Sequence, residues 1–173
     1  NAQDPASAVN MYNTAVGHQA GLSVTTGIYN TLIGGLSGDA LTTGERNVAI
    51  GYATLSNEDT GSRSTAVGYF ALNAQNNAST NYNVGLGYNA GGDIDTGVNN
   101  TILGSLAGDA LTTGSNNTIV GYNASAGSVS EGNSTVIGAG AAGNGSNTVT
   151  LGNGSISGLH CQVNSISALS DKR

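Results

Sequence analysis

The sequence predicts an all-β fold, a parallel β-solenoid (β-roll) with 17-residue coils. One glycine recurs eight times behind a short phrase of Asn or Ser, Thr or Val, and two small or apolar residues, and a ninth time in TVTLG (148–152). These column glycines are Gly17, Gly34, Gly51, Gly68, Gly87, Gly104, Gly121, Gly138 and Gly152. Their numbers increase in steps of 17, 17, 17, 19, 17, 17, 17 and 14. A longer block is also repeated, since most of NTLIGGLSGDALTTG (30–44) recurs in NTILGSLAGDALTTG (100–114).

A repeat as short as this one favours stacked β-coils. Helical hairpin repeats need about 33 residues or more. The recurring phrase is β-branched and ends in a glycine that can adopt a positive φ, so we expect a strand, a turn, a second short strand and another turn in each coil. Duplication is tolerated where each coil contacts chiefly its neighbours. We therefore predict an N-terminal lead-in at 1–11, about nine coils at 12–154, and a C-terminal β stem at 155–173 that leads to an absent chaperone domain.

The composition argues against several kinds of partner. Only 8% of the residues are charged, the net charge is −6, and Lys and Arg together number four. Four cations are too few to follow a phosphate backbone, so nucleic-acid binding is not expected. No run of 18 apolar residues is present, which argues against membrane insertion.

The strand phrase predicts self-association. In the first eight coils both residues before the column glycine are small or apolar, yet neighbouring side chains in a strand point to opposite faces. One of the two side chains fills the interior of the coil, and the other forms an apolar stripe along the rod, which soluble monomers avoid. The alternative is that turns half cover this second side chain. We predict a parallel homotrimer whose axis contacts the residue two before each glycine, continued by an alternating C-terminal strand. The axis candidates are Leu32, Ile102, Ile119, Val136, Leu159, Cys161 and Val163.

The seven tyrosines fall into two columns. Tyr12, Tyr29 and Tyr82 stand five positions before a column glycine. The other four stand directly after one and are candidates for glycan contact. They are Tyr52, Tyr69, Tyr88 and Tyr122. Packing of a ladder between coils is the alternative interpretation.

No motif of the chain predicts catalysis or a cofactor. GAGAAG (138–143) matches a dinucleotide-binding pattern, but turn formers and a strand-like run follow it where a helix is needed. Asp93 and Asp95 are weak candidates for a calcium site, because alternation puts both on one face. A solvated loop is the simpler interpretation of both, and so we expect neither a metal nor an enzymatic activity.

Two parts of the chain resemble known families. NTAVGHQAG (13–21) and NVAIGYATL (47–55) resemble the head repeats of trimeric autotransporter adhesins. SNTVTLGNGSISGLHCQVNSISALSDKR (146–173) is similar to the junction before the endosialidase-type intramolecular chaperone domain of phage tail fibres and tailspikes. The first resemblance implies a left-handed roll with three chains side by side. The second implies a processing junction at Leu169, Ser170 and Asp171.

These resemblances imply a non-enzymatic, trimeric structural or adhesive segment of a phage tail fibre. It would lie on the virion and serve host attachment or its scaffold. The expected partners are two further copies of the chain and a glycan or protein receptor on the host surface. The alternative is the head domain of a trimeric adhesin on a bacterial cell surface.

Overall fold

Nine three-residue strands stack into one parallel sheet in the computed structural model, which describes residues 11–158. The strands are β1 (Thr14–Val16), β2 (Thr31–Ile33), β3 (Val48–Ile50), β4 (Thr65–Val67), β5 (Val84–Leu86), β6 (Thr101–Leu103), β7 (Thr118–Val120), β8 (Thr135–Ile137) and β9 (Val149–Leu151). Their order in the sheet is their order in the chain. The nine strands delimit eight complete coils, which confirms a parallel β-solenoid with 17-residue coils.

The register pairs equivalent residues of successive coils. Ile102 lies opposite Ile119, its counterpart in the next coil. The longer coil between Gly68 and Gly87 keeps the same pairing, because Ala66 lies opposite Gly85. The turns therefore absorb the extra residues, and the sheet continues without a shift.

The predicted second strand of each coil is absent from the described residues. Turns and bends occupy the remainder of each coil, with two isolated bridges, Ser62 to Thr80 and Ser125 to Ala142. Residues with positive φ, such as Leu36 (56°) and Leu106 (58°), reverse the chain in these turns. A backbone that reverses every few residues cannot pair as an extended strand.

The middle residue of each strand points into the solenoid. Leu32, Ile102, Ile119 and Val136 all have 0% exposure within a single chain. The prediction that these four face a trimer axis is therefore wrong. They form the core with a second apolar column that stands seven positions after the column glycine. That column includes Val24, Leu41, Ile94 and Leu111.

The column glycines allow the coils to approach closely. Gly51 has a φ of 136°, and a Cβ there would overlap the carbonyl oxygen of Gly68 in the next coil. Only glycine combines this backbone conformation with this contact. Glycine therefore recurs once per coil in the sequence because each coil has one position where a side chain would overlap the next coil.

Buried asparagines four positions before the column glycine link the coils. Asn30 donates from Nδ2 to the Gly44 carbonyl at 2.8 Å, and its Oδ1 accepts from the Asn47 backbone N–H at 2.9 Å. Asn47 repeats both bonds, to Gly61 and from Ser64. Each asparagine thus satisfies backbone groups that would otherwise be buried without partners.

The remaining predicted positions lie outside the described residues. They are Leu159, Cys161 and Val163 of the axis candidates, Leu169, Ser170 and Asp171 of the processing junction, and most of the stem predicted at 155–173.

Candidate functional site

The outer face of the sheet carries a continuous aliphatic column, made by the residue before each column glycine. This outer column comprises Val16, Ile33, Ile50, Val67, Leu86, Leu103, Val120, Ile137 and Leu151. Its most exposed members range from 37% at Ile33 to 58% at Val16. Steps of about 4.8 Å between parallel strands make the column about 38 Å long. The apolar stripe predicted from the sequence therefore exists. It is formed by the residue directly before each column glycine, and not by the residue two before it, as predicted.

Three of the four tyrosines after the column glycines form a closed ladder. The rings of Tyr52 and Tyr69 stack with centroids 5.3 Å apart, and those of Tyr69 and Tyr88 are 5.6 Å apart. Phe70 packs its edge against Tyr69, with centroids 4.4 Å apart. Both faces of Tyr69 are thus covered by neighbouring rings.

Tyr122 belongs to the same column but stands apart from the ladder. The equivalent residues of the coils on either side are Ser105 and Ala139, which carry no ring. The Leu106 N–H donates to the Tyr88 carbonyl at 2.8 Å, and the Asn123 N–H donates to the Ser105 carbonyl at 3.0 Å. These bonds hold Tyr88, Ser105 and Tyr122 in successive coils. We name this gap between two rings the aromatic slot.

The second tyrosine column continues as an arginine column. Tyr12 stacks on Tyr29 at 5.4 Å, the Arg46 guanidinium lies 5.4 Å from the Tyr29 ring centre, and Arg63 lies 5.7 Å from that of Tyr82. The three tyrosines and two arginines of this column all have φ between 51° and 64°. Asparagine adopts this left-handed conformation more easily, and asparagines occupy the same position in the later coils. Cation–π contacts of about 0.5–1 kcal/mol at exposed sites help to offset this strain.

The two candidate calcium ligands are separated by a core residue. Asp93 and Asp95 are exposed, and Ile94 between them is fully buried. Both carboxylates therefore lie on the outside of one coil, as alternation predicts. Within residues 11–158 no group of three or more His, Cys, Asp or Glu is placed to hold a metal ion.

Glu58 is a buried carboxylate that no sequence motif predicted. It replaces an aliphatic residue of the second core column, is fully buried, and accepts hydrogen bonds from Gly61 N (2.7 Å), Gln75 Nε2 (2.9 Å) and Asn81 Nδ2 (2.9 Å). Burial raises the pKa of the Glu58 carboxyl, and these hydrogen bonds oppose the rise. Asn81 Oδ1 is buried without a hydrogen-bond partner.

Buried glutamates accompany the interruptions of the asparagine column. Serine replaces asparagine at Ser64 and at Ser134, one 70-residue block apart. Gln75, bonded to Glu58, donates to Ser64 Oγ, and Glu131, three positions before Ser134 in the chain, accepts from Gly127 N at 2.7 Å. Both glutamates thus satisfy backbone amides in the interior. This arrangement is structural, since neither carboxylate reaches a surface where a substrate would bind.

Comparison of the chain with protein-family models, with curated proteins and with solved structures gave no match. The part of the chain from 11 to 158 also has no helix of the length and apolar character that crossing a membrane requires. The outer column and the aromatic slot are therefore the features from which we infer a function.

Proposed function

We propose that this chain is a non-enzymatic structural and adhesive segment of a phage tail fibre, assembled as a parallel homotrimer on the virion. The observation that supports the proposal is the outer column, an aliphatic stripe about 38 Å long on one face of a parallel sheet. If three chains packed with their outer columns along one axis, the aliphatic side chains of all three columns would be removed from water. The winding is left-handed in this proposal, as the resemblance to autotransporter heads implies.

The chemistry of the outer face supports association between identical rods. Threonine or valine at the first strand position lies beside the outer column, so the face carries no charge. Removal of apolar surface from water contributes about 25 cal/mol per Å². Parallel packing would also keep each of the nine strands at the same height as its two counterparts.

Sedimentation equilibrium tests the assembly. We expect the wild-type mass to be three times the chain mass of 17.0 kDa at micromolar concentration. Leu103→Asp would place three carboxylates at the axis, where each buried ion costs several kcal/mol, and should give monomers. Leu22→Asp is the matched control, because Leu22 is 56% exposed but lies outside the outer column. A wild-type monomer, or equal dissociation by both variants, would refute the trimer.

The alternative proposal is that the same trimer is the head domain of a bacterial surface adhesin. Immunogold labelling with an antibody against residues 11–158 separates the two. Labelled tail fibres on purified virions would support the phage assignment. Labelled cell surfaces in uninfected cultures would support the adhesin.

A further inference from the structure

We propose that the aromatic slot binds one neutral pyranose ring of a host-surface glycan, with Tyr88 and Tyr122 as its walls and Ser105 as its floor. This deepens the proposed function and rests on it for the source of the glycan. The binding itself is a property of the slot and can be tested without the fibre.

The separation of the walls suits a sugar ring. Two coil steps of about 4.8 Å put Tyr88 and Tyr122 about 9.6 Å apart along the rod. A flat group in contact with both rings needs about 7–8 Å, given carbon contacts of about 3.5–4.0 Å. A puckered pyranose chair is thicker than a flat group and fills more of the gap.

The accessibility of the rings distinguishes the slot from the ladder. Tyr122 is 63% exposed and Tyr88 is 53% exposed, whereas the rings of Tyr52 and Tyr69 occupy each other's faces. Within residues 11–158, Tyr122 makes no ring-to-ring contact. Among the described residues, no ring is therefore stacked on the second face of Tyr88 or on either face of Tyr122, and aromatic ring faces of this kind stack on apolar ring faces.

The duplicated block repeats the same arrangement. One block before the slot the column reads His18, Gly35 and Tyr52, again a small residue between two rings. The Tyr52 ring lies against Gly35, since its Cδ2 is 3.4 Å from the position that a Cβ of Gly35 would take. The chain therefore carries the same spacing twice, and the first copy, with imidazole as one wall, should be the weaker.

The polar groups of the slot indicate a neutral sugar. The walls and the floor have no formal charge, and all three side chains end in a hydroxyl group that both donates and accepts hydrogen bonds. Sugar hydroxyl groups at the edge of a stacked ring match these partners. A glycan selected through its carboxylates would need cations here, and the two arginines between residues 11 and 158 belong to the other tyrosine column.

The test titrates the soluble chain with methyl β-glucopyranoside, methyl β-galactopyranoside and methyl β-N-acetylglucosaminide, each to about 100 mM, which covers the millimolar affinity of a single weak site. Tyrosine ring resonances in NMR spectra report the binding. We expect at least one pyranoside to shift the resonances of Tyr88 and Tyr122 with saturation. Ser105→Tyr should abolish this shift, because a fifth ring completes the ladder and fills the slot.

Two further variants separate the slot from the remaining surface. Tyr122→Ala should weaken binding at least tenfold, and Tyr82→Ala, in the other column, should leave it within twofold. Circular dichroism and sedimentation on the same samples check fold and assembly. No saturable shift with any pyranoside, or unchanged binding in Ser105→Tyr, would overturn the slot even if the trimer is intact. A monomer that binds would overturn only the assembly.

Discussion

Replacement of Glu58 by Gln should stabilise the protein above neutral pH. Glu58 is fully buried, and burial raises the pKa of its carboxyl above the usual value of 4.5. The folded state therefore holds the proton more tightly than the unfolded state, and the ionised carboxylate lowers stability as pH rises through that raised pKa. Glu58→Gln removes the ionisable group, so it should be more stable than the wild type at pH 8, and this gain should disappear near pH 3, where the carboxyl is protonated in both states.

The hydrogen bonds around Glu58 predict an opposite result for an aliphatic replacement. A glutamine keeps an acceptor for Gly61 N, and Asn81 can turn its unpartnered Oδ1 toward the new amide. Gln75 Nε2 loses its bond to position 58 but keeps its bond to Ser64 Oγ. Glu58→Leu restores the aliphatic column but leaves three donors without acceptors, at about 1–3 kcal/mol each. The order of stability at pH 8 should be Gln, then Glu, then Leu.

Urea unfolding between pH 3 and pH 8 measures this order, with Glu45→Gln as the control at a half-buried glutamate. The wild type should lose stability relative to Glu58→Gln as pH rises. If Glu58→Gln were less stable than the wild type at pH 8, and the difference were independent of pH, the three donors would outweigh the burial of the charge. Such a result would contradict a destabilising charge on Glu58.

Two substitutions test the contacts between coils. Gly51→Ala should destabilise the fold by about 3 kcal/mol or more, from backbone strain and overlap with Gly68, whereas Gly154→Ala, with open space around it, should be neutral in the same urea titration. Asn47→Ala removes two buried hydrogen bonds and should lower the free energy of unfolding by about 2–3 kcal/mol. Asn116→Ala, at an exposed position, should lower it by less than about 0.5 kcal/mol. Equal losses of stability in the two variants would contradict the role of the buried asparagine column.

The sequence predicted the coil from its glycines because their spacing reflects a contact that excludes every other residue. The sequence did not predict which of the two residues before each column glycine lies inside the solenoid. Alternation puts the two side chains on opposite faces of the strand but does not show which face is buried. The signal was present in Asn30, two positions before Leu32 and therefore on the same face. A buried asparagine ladder would have identified Leu32 as a core residue.

The tyrosine columns were predictable from spacing, but their accessibility was not. Four tyrosines at equivalent positions suggested one continuous ladder. The structure separates Tyr122 from it because Ser105 intervenes, and that distinction requires knowing that coils stack in strict register. Glu58 was missed for another reason, since an acid next to Asp59 in a turn-rich stretch is typical of an exposed loop. Its place seven positions after Gly51, where Leu41 and Leu111 stand in their own coils, was the available signal.

The asparagine column gives the rod a direction of growth. Each asparagine offers its Oδ1 to a backbone N–H of the coil that follows it in the chain, as Asn13 does to Asn30 and Asn100 does to Asn117. A finished coil thus presents the acceptor that the next one requires. Because synthesis delivers the N-terminal coils first, the earliest coil can template its successor while the rest of the chain is still being made.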